Sequence, residues 1–403
     1  MAEFYRLHNQ IRHYEWGSAD AIPGLLGLEP TGGPCAELWM GSHPGAPSRV
    51  ELGGGPAGLG EFIAGDPGRF LGEKTAARYG GLPFLFKLLA AEKPLSIQAH
   101  PNLQQAREGF KLENAKGLEP NAPNRNYRDS NHKPEIVCAL TPFTGMCGFR
   151  KPGETAGLLA AFLGGKAPAV LREGFAPLFR ALEAGDPASA LRGFLEALFA
   201  FSPALLEALT GFALSSPEAG SRESGLVRGF AARYPNDPGI IAPLYLNVFE
   251  LRPGEAVFLD AGVLHAYVRG FGVELMANSD NVLRGGLTPK HVDVPELMKV
   301  LSFAPLKPEV MKPAPGDSFF TYPAPCEEFS LTVMRGQGGP KPLAMEGPSI
   351  CVVTEGEAGI GGELLRKGES IFVPPPGPGD APPTLGGFFT LYAASTGKLS
   401  ARR

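Results

Sequence analysis

Three short phrases place histidine or carboxylate where a strand can aim it into an interior. Ser96-Ile97-Gln98-Ala99-His100-Pro101-Asn102 follows an apolar run, and on a strand Gln98 and His100, two apart, project from one face. Asn131-His132-Lys133-Pro134-Glu135 puts a carboxylate at the head of the apolar run that continues Ile136-Val137-Cys138, with cationic or titratable neighbours beside it. Gly262-Val263-Leu264-His265-Ala266-Tyr267 puts a second imidazole just after another apolar strand. His100, Glu135 and His265 together are the donor set of a three-residue divalent-metal site with open positions. The amide oxygen of Gln98 lies close in sequence, although glutamine is an uncommon zinc ligand.

These phrases need strands to hold them. Up to about residue 150, apolar runs such as Leu82-Pro83-Phe84-Leu85-Phe86-Lys87-Leu88-Leu89 alternate with Gly- and Pro-rich turns, the spacing of an all-β fold, and 1–150 is read as the first part of a catalytic barrel. Over 151–234 the texture changes to Ala, Leu, Phe and Glu with apolar residues three and four apart, as in Ala190-Leu191-Arg192-Gly193-Phe194-Leu195, which predicts a helical insert. One helix is expected to start behind Ser202-Pro203 and stop near Gly211. Nothing in the insert looks like chemistry, and it reads as a packing module. β texture returns at Leu244, so 235–304 reads as the second part of the catalytic barrel. The phrase Leu251-Arg252-Pro253-Gly254-Glu255-Ala256-Val257-Phe258 recurs in character as Leu365-Arg366-Lys367-Gly368-Glu369-Ser370-Ile371-Phe372. Its repetition is a hairpin signal that predicts a second, C-terminal barrel over 305–403. No histidine follows His291, so that barrel has no imidazole for a metal and is read as structural.

Composition narrows the function classes. A chain of 403 residues, 43% hydrophobic, can bury a large core and is expected to form two or three domains. Its net charge of -4 arises from 37 basic and 41 acidic residues without long runs, which gives no electrostatic footprint for nucleic acid or an anionic membrane. Five cysteines, odd in number and without Cys-x-x-Cys spacing, argue against a disulfide framework or zinc finger and for a reducing cytoplasm. The start, Met1-Ala2-Glu3-Phe4-Tyr5-Arg6, lacks a signal-peptide pattern, and no apolar stretch reaches transmembrane length.

Four separated blocks, in order, carry a resemblance. They are Tyr14-Glu15-Trp16-Gly17, Gln98-Ala99-His100-Pro101-Asn102, Asn131-His132-Lys133-Pro134-Glu135, and the run from His265-Ala266-Tyr267 through Glu274-Leu275-Met276-Ala277-Asn278-Ser279-Asp280-Asn281-Val282-Leu283-Arg284-Gly285-Gly286-Leu287-Thr288-Pro289-Lys290. The chain resembles the type I mannose-6-phosphate isomerases. The resemblance implies a mainly β protein of cupin (jelly-roll) barrels, a catalytic one and a C-terminal one, with an inserted α-helical domain. It also implies one Zn2+ per chain held by Gln98, His100, Glu135 and His265, Arg284 as a catalytic residue, and conversion of mannose 6-phosphate into fructose 6-phosphate. Leu103 is a departure, since family members often carry lysine at that step.

Such a reaction moves a proton between adjacent carbons through an enediol(ate), so negative charge develops on neighbouring oxygens. A divalent ion and a fixed guanidinium can both stabilise it. A general base is also required. Glu274 and Lys133 are its candidates, and Asp280 and His132 are candidates for ring opening or proton shuttling. Lys290, Lys133 and Lys87, with Ser96, are the expected phosphate contacts, and Trp16 and Tyr267 the flat walls of the cavity. The expected partner is a small phosphosugar bound by a cytoplasmic monomer, without nucleic acid or membrane. Two other readings stand beside this one: another metal-dependent cupin enzyme, either a non-haem iron oxygenase or an isomerase of a different phosphosugar, and a two-barrel storage or sugar-binding protein. The titratable run from Glu274 to Lys290 argues against both the oxygenase and the binding protein.

Overall fold

A computed structural model describes residues 4–53, 55–215, 221–343, 345–377 and 379–398. Its strands fall into two antiparallel sheet systems, ten-stranded and nine-stranded among the described residues. The first holds every candidate metal ligand. Its hub is the long strand His265–Ala277, which pairs near its start with Ile97–Ala99 and Phe143–Phe149, and further on with Phe84–Ala91 and Glu135–Ala139. The change of partner falls at a register shift between Tyr267 and Arg269, beside Gly270 at φ 137°. Phe143 packs there where a Cβ would stand, so only glycine lets the strand turn from one set of partners to the other. Phe84–Ala91 is buried along its whole length, as its continuous apolar sequence requires of a strand covered on both faces.

The second system, from Phe319–Tyr322 to Thr384–Ser395, also takes in the strand Tyr5–His8, with Tyr5 opposite Phe372 and Arg6 opposite Ile371. The expected division at residue 305 is therefore incomplete, because the amino-terminal strand crosses over to the C-terminal module. The crossing ties the modules together. Phe86, Ile136 and Val273 of one share a continuous core with Phe329, Leu331 and Tyr392 of the other.

The repeated phrase folds the same way twice. Gly254 and Gly368 adopt φ 85° and 87°, Glu255 Oε2 accepts from Arg252 N–H at 2.9 Å, and Glu369 Oε2 accepts from Arg366 N–H at 2.7 Å. Neither turn closes a hairpin, however. Leu246–Leu251 pairs with Phe143–Phe149 whereas Ala256–Leu259 pairs with Glu135–Ala139, and the Gly254 N–H donates out of the turn to Ala139. In the second copy Gly368 N–H likewise donates to Val353. The phrase is a corner between strands that pair elsewhere.

Helices run from Pro152–Leu163 to Arg222–Arg233 and pack through Phe162, Phe194 and Val227 on a shared core with Ile97, Met146 and Phe149 of the sheet. The helix that begins at Pro203 runs to Ser215, past Gly211, since an open-sided helical glycine costs about 1 kcal/mol but breaks no hydrogen bond. The first 150 residues are not all β. Leu59–Gly65, Pro67–Leu71, Glu73–Tyr79 and Leu103–Ala115 are helices, the last closed by a reciprocal capping box between Asn102 and Gln105. Among the described residues no single helix is long and apolar enough to cross a membrane.

Candidate metal centre and its cavity

The sheet brings His100, Glu135 and His265 together although 165 positions separate the histidines in sequence. Glu135 heads its strand opposite Met276, His265 heads the hub strand opposite Gln98, and His100 follows Ile97–Ala99 directly. Their ligand atoms all lie within 4.8 Å of one another, and each residue is only 1% exposed. Outer contacts fix the rings. His100 Nδ1 lies 2.7 Å from the Asn281 carbonyl and His265 Nδ1 lies 2.9 Å from that of Val263. A carbonyl only accepts, so both protons sit on Nδ1 and both Nε2 lone pairs face inward.

Those Nε2 atoms stand 3.2 Å and 3.5 Å from the Glu135 oxygens. Among the described residues both Nε2 atoms and Glu135 Oε2 are buried without a hydrogen-bond partner. Three acceptors converging with no proton between them repel unless a cation lies in their midst, so the donor set fits a divalent ion. Burial, and then the Lys133 ammonium, pull the His100 imidazole down to about 4. Burial opposes ionisation of Glu135, but Lys133, 2.8 Å away, and the histidines outweigh it and hold the carboxyl well below its usual range.

This centre opens on a cavity of about 760 Å³ lined by Gln98, Ser96, Trp16 and Tyr267, among others. On one wall Lys87 donates to Glu274 at 2.8 Å and reaches Glu37 at 3.5 Å. Sequence reasoning offered Lys87 as a phosphate contact; its ammonium is instead occupied by two buried carboxylates, as a cation inside an apolar strand demands. Glu274 shares that one cation with Glu37, so burial prevails over Lys87 and its pKa lies above the usual carboxylate value. Glu37 and Trp39, joined by a 2.7 Å hydrogen bond from the indole, were missed; their alternation on the strand Glu37–Met40 was the available signal.

Asp280 lies on another wall and meets His43, which is outside the lining: Gly45 N–H donates to His43 Nδ1 at 3.1 Å, which leaves the neutral ring's proton on Nε2, 3.3 Å from Asp280. That contact holds Asp280 below the ordinary aspartate range. His43 was also missed.

A third wall carries Arg284, Lys290 and Arg128. Burial and then Arg128 lower the Arg284 pKa, while burial, Arg284 and Arg128 lower that of Lys290. Among the described residues none of the three pairs with a carboxylate, so this wall carries unneutralised cations, the charge an anionic group would seek.

Two expectations need correction. His132 binds Glu328 of the C-terminal module at 2.8 Å and is absent from the cavity lining, because it leads into the Glu135 strand on the side facing that module. The helical insert does more than pack: Arg233 and Tyr234, at its exit, line the cavity, and Tyr234 Oη donates to the Pro94 carbonyl at 2.9 Å. Leu103 opens the helix Leu103–Ala115 and does not line the cavity.

A β-rich fold enclosing a two-histidine, one-carboxylate centre beside an unpaired cation wall has the make-up of a metal-centred enzyme for a small anionic substrate. Comparison with known proteins gives the family. Residues 4–152 match the model of the phosphomannose isomerase type I catalytic domain. The chain is 39% identical to the mannose-6-phosphate isomerase of Escherichia coli over 91% of its own length and 94% of that protein's, and 37% identical to that of Macaca fascicularis over 86% of each. A zinc-bound crystal structure of mannose 6-phosphate isomerase superposes at TM-score 0.87 with 35% identity, covering 98% of this chain and 100% of that one. The chain belongs to the mannose-6-phosphate isomerase family, and its reaction is the interconversion of mannose 6-phosphate and fructose 6-phosphate.

Proposed function

We propose that the chain performs this isomerisation as a zinc-dependent enzyme built on two jelly-roll (cupin) barrels, with His100, Glu135, His265 and Gln98 as the protein ligands of one Zn2+. The observation that carries the zinc reading is the convergence of unpartnered, buried acceptors at His100, Glu135 and His265. Zinc bound there supplies a redox-inert Lewis acid next to the oxygens on which charge develops.

The chain's own residues divide the remaining work. Arg284, Lys290 and Arg128, with Ser96, receive the phosphate end and leave the reactive carbons towards Glu135. Asp280, oriented by His43, takes the anomeric hydroxyl proton as the C1–O5 bond breaks, the ring oxygen takes a proton from solvent, and Asp280 returns its own proton to solvent. Glu274 then removes the proton from C2 of the open aldose and returns it to C1, while the hydroxyl proton passes from O2 to O1; Lys133, beside Glu135, is placed for that transfer. Burial raises the Glu274 pKa above the usual carboxylate value, which strengthens it as a base for taking the C2 proton and as an acid carrier for giving it back. Arg284 also faces the negative charge of the enediolate. Trp16 and Tyr267 flank the sugar. The partner in this reading is a phosphosugar alone, bound by a cytoplasmic monomer.

The test is purification, measurement of bound metal, and fructose 6-phosphate formation from mannose 6-phosphate before and after chelation. Activity lost with the metal and restored by zinc supports the reading. Undiminished turnover in metal-free protein sinks it.

A further inference from the structure

Asp237 lies at the exit of the helical insert, half-buried at the edge of the cavity, with each carboxylate oxygen assigned differently. Oδ1 accepts from Gly239 N–H at 2.7 Å and so caps the short 3-10 turn Pro238–Ile241. Capping needs one oxygen only. Oδ2 reaches across to the segment after Arg284 and accepts from Thr288 N–H at 3.2 Å. The Leu287 backbone also hydrogen-bonds this carboxylate, whose pKa burial raises above the ordinary aspartate value.

The segment it grips is strained. The strand Leu283–Gly286 slips register against Ile97–Ala99 between Arg284 and Gly286, and Leu287 adopts φ 52°. Among the described residues only Asn236, at φ 63°, is another non-glycine in that region, and it directly precedes Asp237. A branched-chain residue held left-handed is strained and persists only where its surroundings over-determine it. Here they do. A Cβ on Gly286 would stand 2.8 Å from Asp237 Oδ1, Asn236 N–H is anchored on Thr210 Oγ1 at 2.9 Å, and Thr288 Oγ1 in turn accepts from Lys290 N–H at 3.1 Å.

We infer that Asp237 is a positioning residue for the reaction: it clamps the insert onto the strained Gly286–Thr288 backbone and so fixes where Arg284 and Lys290 present their cations. This rests on the proposed role of Arg284. Asp237→Asn keeps an oxygen for the cap but replaces the other acceptor by an amide donor facing an N–H. The expected result is kcat/KM lower by about ten- to a hundredfold, with zinc content and melting temperature near those of the parent. In an Arg284→Ala background the same substitution should cost clearly less than in the parent, the remainder being what it costs through Lys290.

Asp237→Asn with parental kcat/KM, or with its full cost repeated in the Arg284→Ala background, overturns the inference. Parental activity in Arg284→Ala alone removes the role of Arg284 instead and takes the inference with it. If Asp237→Asn does not fold, Asp237→Ser keeps one oxygen for the cap, deletes the acceptor for Thr288 N–H, and is read by the same two criteria.

Discussion

Lys133 Nζ lies 2.8 Å from Glu135 Oε1, the oxygen that also faces His100 Nε2 at 3.2 Å. One buried oxygen thus answers to a fixed cation on one side and a ligand nitrogen on the other. Without metal, Lys133 is the cationic side chain at hydrogen-bond distance from an otherwise buried carboxylate. Removing one partner of such a pair costs about 3–5 kcal/mol. Lys133→Met should therefore destabilise the metal-free protein by an amount of that order and the zinc-loaded protein by clearly less, as read from denaturant unfolding of both forms. Equal losses in the two forms would mean that Lys133 does not serve as the counter-charge.

The acid limb of the pH–rate profile should belong to Glu274. Its pKa is raised because burial exceeds the effect of the Lys87 it shares with Glu37. Activity through an ionised base is present above that pKa and lost as pH falls through it. Lys87→Met removes the cation that favours ionisation, so the limb should move to higher pH. Glu274→Gln should abolish exchange of the substrate proton with solvent while bound zinc stays near parental. Full exchange in that variant would exclude Glu274 as the base.

Among the described residues Arg284 has no carboxylate partner on the cation wall, where burial and then Arg128 disfavour its charged form. In the proposed mechanism its substitution by alanine removes the guanidinium that meets the enediolate charge. We expect kcat to fall about a hundred- to a thousandfold with zinc retained, the range seen when one preorganised donor is lost from such a site. A change confined to KM would assign Arg284 to phosphate binding alone.

His132 should matter for stability and little for rate. Its 2.8 Å contact with Glu328 outweighs the burial penalty and holds that carboxyl below the usual glutamate range. A depressed carboxyl contributes stability above its unfolded pKa, lost as pH falls through the folded one. His132→Gln should cost stability at neutral pH, with the difference from the parent shrinking in acid, while kcat stays within about threefold, since the residue contacts no part of the cavity. A large loss of kcat would place it back in the proton path.

Much of this protein is legible along the chain because the relevant signals are local. The strands that carry His100, Glu135 and His265 announce themselves as apolar runs, the insert by its three-and-four spacing, and the two modules by the repeated Gly-Glu corner. The helices Pro67–Leu71 and Leu103–Ala115 were legible too, through Asp66-Pro67 and the Asn102–Gln105 box, but the β texture around them masked these caps. Other facts belong to no local segment. Lys87 reads as a free cation until Glu37 and Glu274 arrive from neighbouring strands, His132 reads as catalytic until the C-terminal module supplies Glu328, and His43 has no visible purpose until Asp280 meets it. The amino-terminal strand reads as part of the first module until it pairs with Ile371 and Phe372. Sequence determined which side chains were available and which local backbone would hold them. Tertiary structure decided which charges neutralise one another and which remain free to meet a substrate, because ion pairing depends on distances of a few ångströms between residues that the chain leaves far apart in sequence.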